Sequence, residues 1–189
     1  VEGTTRFLRN VMGLWVLTET LRAWEQAGRG VALTAIVEEA AAEPTPDALL
    51  DIDDDAFLAP GDMPARIEAW LRERSLAVPQ SQAGLVRLIV ESLAQAFARA
   101  VWAAAELSGI GVERIHLVGG GSRNALLCQL TAEYAGLPVV AGPVEATALG
   151  NVAAQAQGLG WGGDRAALRA LVAASTPMRT YVQIGRAHV

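Results

Sequence analysis

"IHLVGGGSRNALLCQLTAEYAG", residues 115–136, and the "LPVVAG" that follows it, residues 137–142, decide the fold of this chain. Ile115, Leu117 and Val118 form a short apolar strand that runs into three glycines. A helical pattern follows from about Arg123 to Tyr134, and Gly136 closes it. Residues 137–142 read as a second short strand. "EATALGNVAAQAQGLG", residues 145–160, reads as an Ala-rich helix. Strand, helix, strand, helix in that order is the signature of a parallel α/β layer. "GWGGDRAALRALV", residues 160–172, begins with a turn and continues as a helix.

The part before this layer is helical. Phe7, Val11, Leu14, Trp15, Leu17, Leu21 and Trp24 recur at three- and four-residue steps, which predicts an amphipathic helix from Phe7 to Ala27. A second helix spans Val31 to Ala42 and stops at Pro44 and Pro46. Residues 49–64, "LLDIDDDAFLAPGDMP", read as a short extended segment and a turn. Asp62 is placed to cap a helix from Pro64 to about Arg74, with Pro just inside its start. Residues 81–108 form a long Ala-rich core helix, with Ser81 as its cap and Gly109 and Gly111 at its end.

Composition narrows the function. The chain has 189 residues, is 52% hydrophobic and carries a net charge of −5. That allows a sizeable core and gives no indication of a nucleic-acid or anionic-membrane partner. No apolar stretch is expected to reach the eighteen or so residues that a membrane span needs. Cys128 is the single cysteine, so no internal disulfide forms, which fits a reducing cytoplasm. One cysteine and two histidines give no metal-site spacing. All fifteen basic residues are Arg, which points to a GC-rich genome. The chain opens "VEGTT", without Met, and reads as an open reading frame entered midway. "IGRAHV", residues 184–189, continues no periodic pattern and resembles one frame of a sequencing adapter. It is read as a non-native tail, and His188 is set aside with it.

Several chemistries can be tested on the three-glycine loop. A phosphate-cradling loop needs a following Lys, and the chain has none. A dinucleotide fingerprint needs a small residue three positions after the second glycine, counted from Gly119 and Gly121, and Asn124 stands there. Two readings remain from the residues. In one, the glycines form a tight turn for strand–helix packing. Alternatively they clear a flat surface for adenine or ribose beside a helix N-terminus carrying Ser122 and Asn124.

Three stretches in order carry a resemblance: "HLVGGGSRNALLCQLTAEYAGLPVVAGPVEATALGN" (116–151), "TTRFLRNVMGLWVLTETLRAW" (4–24) and "APGDMPARI" (59–67). Together they resemble the FGGY carbohydrate kinases, and the last two resemble the rhamnulokinase branch of that family. The resemblance implies an α/β fold. It would be the C-terminal part of an actin-like, ribonuclease H-like ATPase domain, helix-rich with a short parallel sheet and incomplete at its N-terminus. Residues 1–183 would be that partial domain. It also implies ATP with Mg²⁺, a sugar substrate, the missing N-terminal domain as partner and a cytoplasmic enzyme.

The resemblance assigns Gly120 to the nucleotide, flanked by Gly119, Gly121, Ser122 and Asn124. Asn10 matches a sugar-contacting asparagine, although a cap near the helix start is the competing role. Thr18 matches a nucleotide-side position that is Gln in some members, and a plain helical surface residue is its alternative. Trp15 and Met12 are read as core rather than as a sugar-stacking pair. Glu145 is read as an acid at a helix N-terminus rather than a base. Arg123 is read as a surface or cap residue. Asp51, Asp53, Asp54 and Asp55 lack the Gly and distal Glu of a calcium loop and read as a solvated turn.

The family's catalytic Asp and phosphate loops are not recognisable in this chain. The resemblance therefore implies a kinase whose C-terminal segment is inactive alone. It would phosphorylate a ketose, L-rhamnulose first, with L-fuculose, D-xylulose or a polyol as alternatives. A non-catalytic actin-like nucleotide-binding module is the reading from a different class. Missing strands would leave an unpaired sheet edge and an exposed apolar face.

Overall fold

The computed structural model describes residues 7–160 and 163–184. The chain divides into two compact units at Gly111 and Val112. Apart from Ile184, the tail at 184–189 lies outside the described residues.

The first unit is helical. Helix α1 spans Trp15–Gln26 and buries Val16, Leu17 and Trp24. The apolar periodicity begins two turns earlier, at Phe7, but those turns do not form. Gly13 sits at φ +58°, a left-handed conformation that breaks a helix. Asp53 also captures the segment, with Oδ1 accepting from the Met12 N–H at 3.0 Å and Oδ2 facing Arg9 at 3.4 Å. A long-range carboxylate thus overrides the local pattern.

Helix α2, Leu33–Ala42, turns Ile36 and Ala40 into the core along α4. It ends where Glu43 becomes extended, as a residue before proline prefers. Helix α3, Met63–Glu73, is capped by Asp62, whose carboxylate accepts from the Ala65 N–H. Helix α4, Gln82–Ser108, starts at Ser81, which accepts from the Gly84 N–H, and stops at Gly109, φ +66°. From Val86 to Ala94 every α4 residue is buried. The helix is long and apolar enough to cross a membrane, and half of its most apolar window is buried inside the fold. That burial is how a central core helix behaves.

The expected extended segment at 49–64 is no strand. Leu50 and Ile52 are buried from a loop, and Leu50 donates its N–H to Ser92 Oγ at 2.9 Å. A short 3-10 turn, Asp55–Phe57, buries Phe57. The acidic run is more than a solvated turn. Asp54 accepts from Trp70 Nε1 and from the Ala56 N–H, each at 2.8 Å, and Arg74 stacks over the Trp70 ring.

The Trp70 hydrogen bond, then that of Ala56, with help from the Arg74 charge, holds the Asp54 carboxyl below its ordinary value of 3.8. A depressed folded-state value stabilises the fold fully above the unfolded value, about 3.9. The contribution disappears as pH falls through the folded value. The unfolding midpoint of the parent chain should therefore fall more steeply below about pH 4 than that of Asp54→Asn. Parallel acid limbs in the two chains would exclude this role.

The second unit carries the α/β layer. Strand β1 is Ile115–Leu117, helix α5 is Ala125–Ala135 and strand β2 is Val139–Ala141. β1 and β2 pair in parallel, Ile115 opposite Val139, as the strand–helix–strand order predicts. A third strand, β3, Arg179–Tyr181, adds to β2 antiparallel, Val139 opposite Tyr181. The sheet, ordered β1-β2-β3, is therefore mixed rather than purely parallel. Three residues of no clear alternation give β3 no sequence signal. Helix α5 buries Leu126, Leu127, Cys128 and Leu130, and Gly136 at φ +65° ends it. Helices α6, Ala146–Gly158, and α7, Arg165–Ser175, have no buried residue among those described. Asp164 caps α7 by accepting from the Ala167 N–H.

Candidate functional site in the glycine loop

The loop begins where β1 leaves the sheet. Gly119 adopts φ +75°, ψ −162°, which is open to glycine alone. A 3-10 turn over Gly120–Arg123 follows, and then Asn124 caps α5. Two bonds tie the strand ends together behind it. The Gly142 N–H donates to Leu117 O at 2.9 Å, and the Gly119 N–H donates to Pro143 O at 3.3 Å. The strand expected over residues 137–142 stops at Ala141, and Gly142 and Pro143 form this tie instead. The clue available was the Gly-Pro pair directly after an apolar run.

The loop closes on itself. Ser122 donates both its N–H, at 3.1 Å, and its hydroxyl, at 2.7 Å, to Gly119 O. The Asn124 N–H donates to Gly121 O, while its Oδ1 accepts from the Leu127 N–H at 2.9 Å. Cys128 lies beneath, its Sγ 3.9 Å from Gly121 O and 3.8 Å from Ser122 O. Burial pushes its thiol up to about 11, so it stays protonated at neutral pH. The Nδ2 of Asn124 is buried and has no partner among the described residues.

The glycines differ in duty. Gly119 is required by its backbone angle. Gly120 is exposed, its φ is not left-handed, and a Cβ built there meets no atom within 4 Å. It therefore presents bare backbone with open space above it. This surface stands beyond the carboxyl ends of two parallel strands, where open α/β sheets bind ligands.

The structure thus brings Gly119, Gly120, Gly121, Ser122 and Asn124 into one loop. The Ser122 hydroxyl and the Asn124 Oδ1 are engaged internally, and the open backbone at Gly120 and the Asn124 Nδ2 remain. Arg123 is exposed, as a surface residue should be. Glu145 occupies the position before α6 without a side-chain cap bond.

Two site residues belong to the first unit. Asn10 is exposed ahead of α1. It is not the cap of that helix, since Leu14 holds the N-cap position without a side-chain bond. Thr18 is exposed on α1, and its hydroxyl donates to Leu14 O at 2.9 Å. Trp15 and Met12 are half-buried, and Trp15 Nε1 donates to Phe57 O, a packing role. No group of three His, Cys, Asp or Glu side chains suited to a metal gathers among the described residues.

A helical unit and a small mixed α/β layer with this loop make up the C-terminal part of an actin-like sugar-kinase fold. The crystal structure of xylulose kinase from Rhodospirillum rubrum shares it, with a TM-score of 0.55 at 21% identity over 93% of this chain and 34% of that one. The chain belongs to the FGGY family of carbohydrate kinases: residues 1–159 match its C-terminal domain. Among curated proteins it is 41% identical over 181 residues to a rhamnulokinase of Bacteroides thetaiotaomicron and 40% to one of Pectobacterium carotovorum. Each alignment covers 96% of this chain and 36% of the relative. A rhamnulokinase of Klebsiella pneumoniae is 42% identical over 82% of the chain. The chain spans about a third of the length of these relatives.

Proposed function

We propose that this chain is the C-terminal segment of a cytoplasmic kinase that transfers the ATP γ-phosphoryl group to a ketose, L-rhamnulose. The observation that carries this reading is the 41% identity to a rhamnulokinase across 96% of the chain. The glycine loop supports it. Gly120, between Gly119 and Gly121, offers a flat backbone surface for the adenosine, and Asn124 holds the start of α5 beside it. Ser122 shapes the turn, Asn10 contacts the sugar, and Thr18 lies on the nucleotide side. Mg²⁺ bound with ATP would neutralise charge on the phosphates, and no described residue here is assigned to it.

Phosphoryl transfer depends on positioning the phosphates, the metal and the acceptor hydroxyl. The base and phosphate loops belong to the N-terminal part of the same enzyme, so this segment alone is inactive. Coupled assays of the completed gene product with L-rhamnulose, L-fuculose and D-xylulose test the substrate. L-rhamnulose should give the highest kcat/KM, and activity confined to another sugar would refute the assignment. The upstream reading frame should encode a Gly/Thr-rich phosphate loop and a catalytic Asp. An unrelated upstream domain would favour a non-catalytic nucleotide-binding module instead.

A further inference from the structure

Residues 7–12 belong to no helix or strand, and residues 7–10 are exposed. Backbone in that state takes one conformation only where contacts from elsewhere offset its conformational entropy. Asp53 supplies them. Its Oδ1 accepts from the Met12 N–H at 3.0 Å and its Oδ2 from Arg9 Nη2 at 3.4 Å. Those two donors stand on either side of Asn10 in the chain, so one carboxylate clasps the backbone around it. Neither bond engages the Asn10 side chain. Gly13, at φ +58°, then turns the chain from the clasp into α1, and Trp15 Nε1 donates to Phe57 O at 3.2 Å just beyond.

Asp53 is itself fixed from both sides. Ile52 before it is fully buried, and Asp54 after it accepts from Trp70 Nε1 and from the Ala56 N–H. The Asp54 N–H closes the turn on Asp51 O at 3.0 Å. The Asp53 carboxylate is therefore carried on a turn rooted in the helical core, while the segment it holds is exposed. Hydrogen bonds to an ionised carboxylate are stronger than those between neutral groups, which suits a single side chain to this task. An Asn amide held in place offers two donors and an acceptor, the groups that sugar hydroxyls pair with.

We infer that Asp53 is a positioning residue for the sugar: it sets the backbone of residues 9–12 and so the place at which Asn10 meets the substrate. The inference rests on the reading of Asn10 as the sugar contact. Asp53 acts through Asn10 and touches no substrate itself. A displacement of a binding group by about an ångström is enough to cost a large factor in use of the substrate.

The test uses the full-length kinase and, of L-rhamnulose, L-fuculose and D-xylulose, the ketose it turns over best. Asp53→Ala removes both acceptors and should raise the sugar KM about tenfold while the ATP KM stays within about twofold. Asp53→Asn keeps an oxygen for the Met12 N–H and should return the sugar KM to within about threefold of the parent. Where Asp53→Ala does not fold, the same readout is taken on Asp53→Glu, which keeps the charge but sets its oxygens one methylene further out. The double variant Asp53→Ala/Asn10→Ala should use the sugar no worse than Asn10→Ala alone, since the first change works only through the second residue. A folded Asp53 variant with the parental sugar KM, beside a raised value in Asn10→Ala, would overturn the positioning role and leave the Asn10 contact intact. So would effects that multiply in the double variant, an Asp53→Asn enzyme no better than Asp53→Ala, or equal rises in both KM values. A parental sugar KM in Asn10→Ala would remove the contact on which the inference rests.

Discussion

Gly120→Val in the completed kinase should raise the KM for ATP about a hundredfold, or ~2.7 kcal/mol of nucleotide binding, and leave the sugar KM within about twofold. The fold itself has little reason to object. A Cβ at Gly120 meets no atom within 4 Å, and its φ lies outside the left-handed region. A branched side chain therefore intrudes only on whatever occupies the open space above the loop. Gly119→Ala supplies the contrast. Its site is also open, but φ is +75° and ψ −162°, so a side chain is strained there by about 1–3 kcal/mol with or without ligand. Gly119→Ala should lower the thermal midpoint, whereas Gly120→Val should keep it and lose ATP affinity. An unchanged ATP KM in a folded Gly120→Val enzyme would defeat the adenosine assignment.

The contrast between neighbouring glycines shows what sequence can and cannot reveal at such a site. The missing Lys and the Asn at 124 exclude the phosphate cradle and the dinucleotide fingerprint without coordinates. Which glycine serves the backbone and which the ligand depends on dihedral angles. The same holds for Ser122 and Asn124. Their polar side chains near a helix start suggested ligand contacts, yet the Ser122 hydroxyl turns back to Gly119 O and the Asn124 Oδ1 caps α5. Only the direction of nearby carbonyls and N–H groups decides that.

Elsewhere the legible features are the local ones. Asp62, Ser81, Gly109 and Gly136 start or stop helices where their residue types predict, because a cap involves groups only a few positions apart. The misread features involve distant partners. The late start of α1 goes with Gly13 and with Asp53, forty-one residues from Met12. Strand β3 exists because β2 offers an edge, and nothing within "RTY" announces it. Asp54 joins a turn to Trp70, sixteen residues on, so a run that looks solvated becomes an anchor.

The largest effect on stability should come from a pair that helical spacing alone does not distinguish from a surface pair. Arg87 and Glu91 are four apart on α4, like many exposed ion pairs worth a few tenths of a kcal/mol. Here Arg87 Nε lies 2.7 Å from Glu91 Oε2, and their side chains are 11% and 0% exposed. Arg87 also reaches Ala41 O at 3.5 Å, linking the end of α2 to the core helix. Truncating the cation should take from the buried Glu91 carboxylate the guanidinium that lies 2.7 Å from it. Arg87→Met should therefore cost about 3–5 kcal/mol. The double variant Arg87→Met/Glu91→Leu should recover most of that loss, since an apolar pair of similar volume replaces a buried ion pair at little cost. Urea unfolding followed by Trp fluorescence can read both, because Trp24 and Trp70 are buried in the same unit. A single variant that loses under about 1 kcal/mol, or a double variant no better than the single, would mean that Glu91 does not depend on Arg87 for its place in the core.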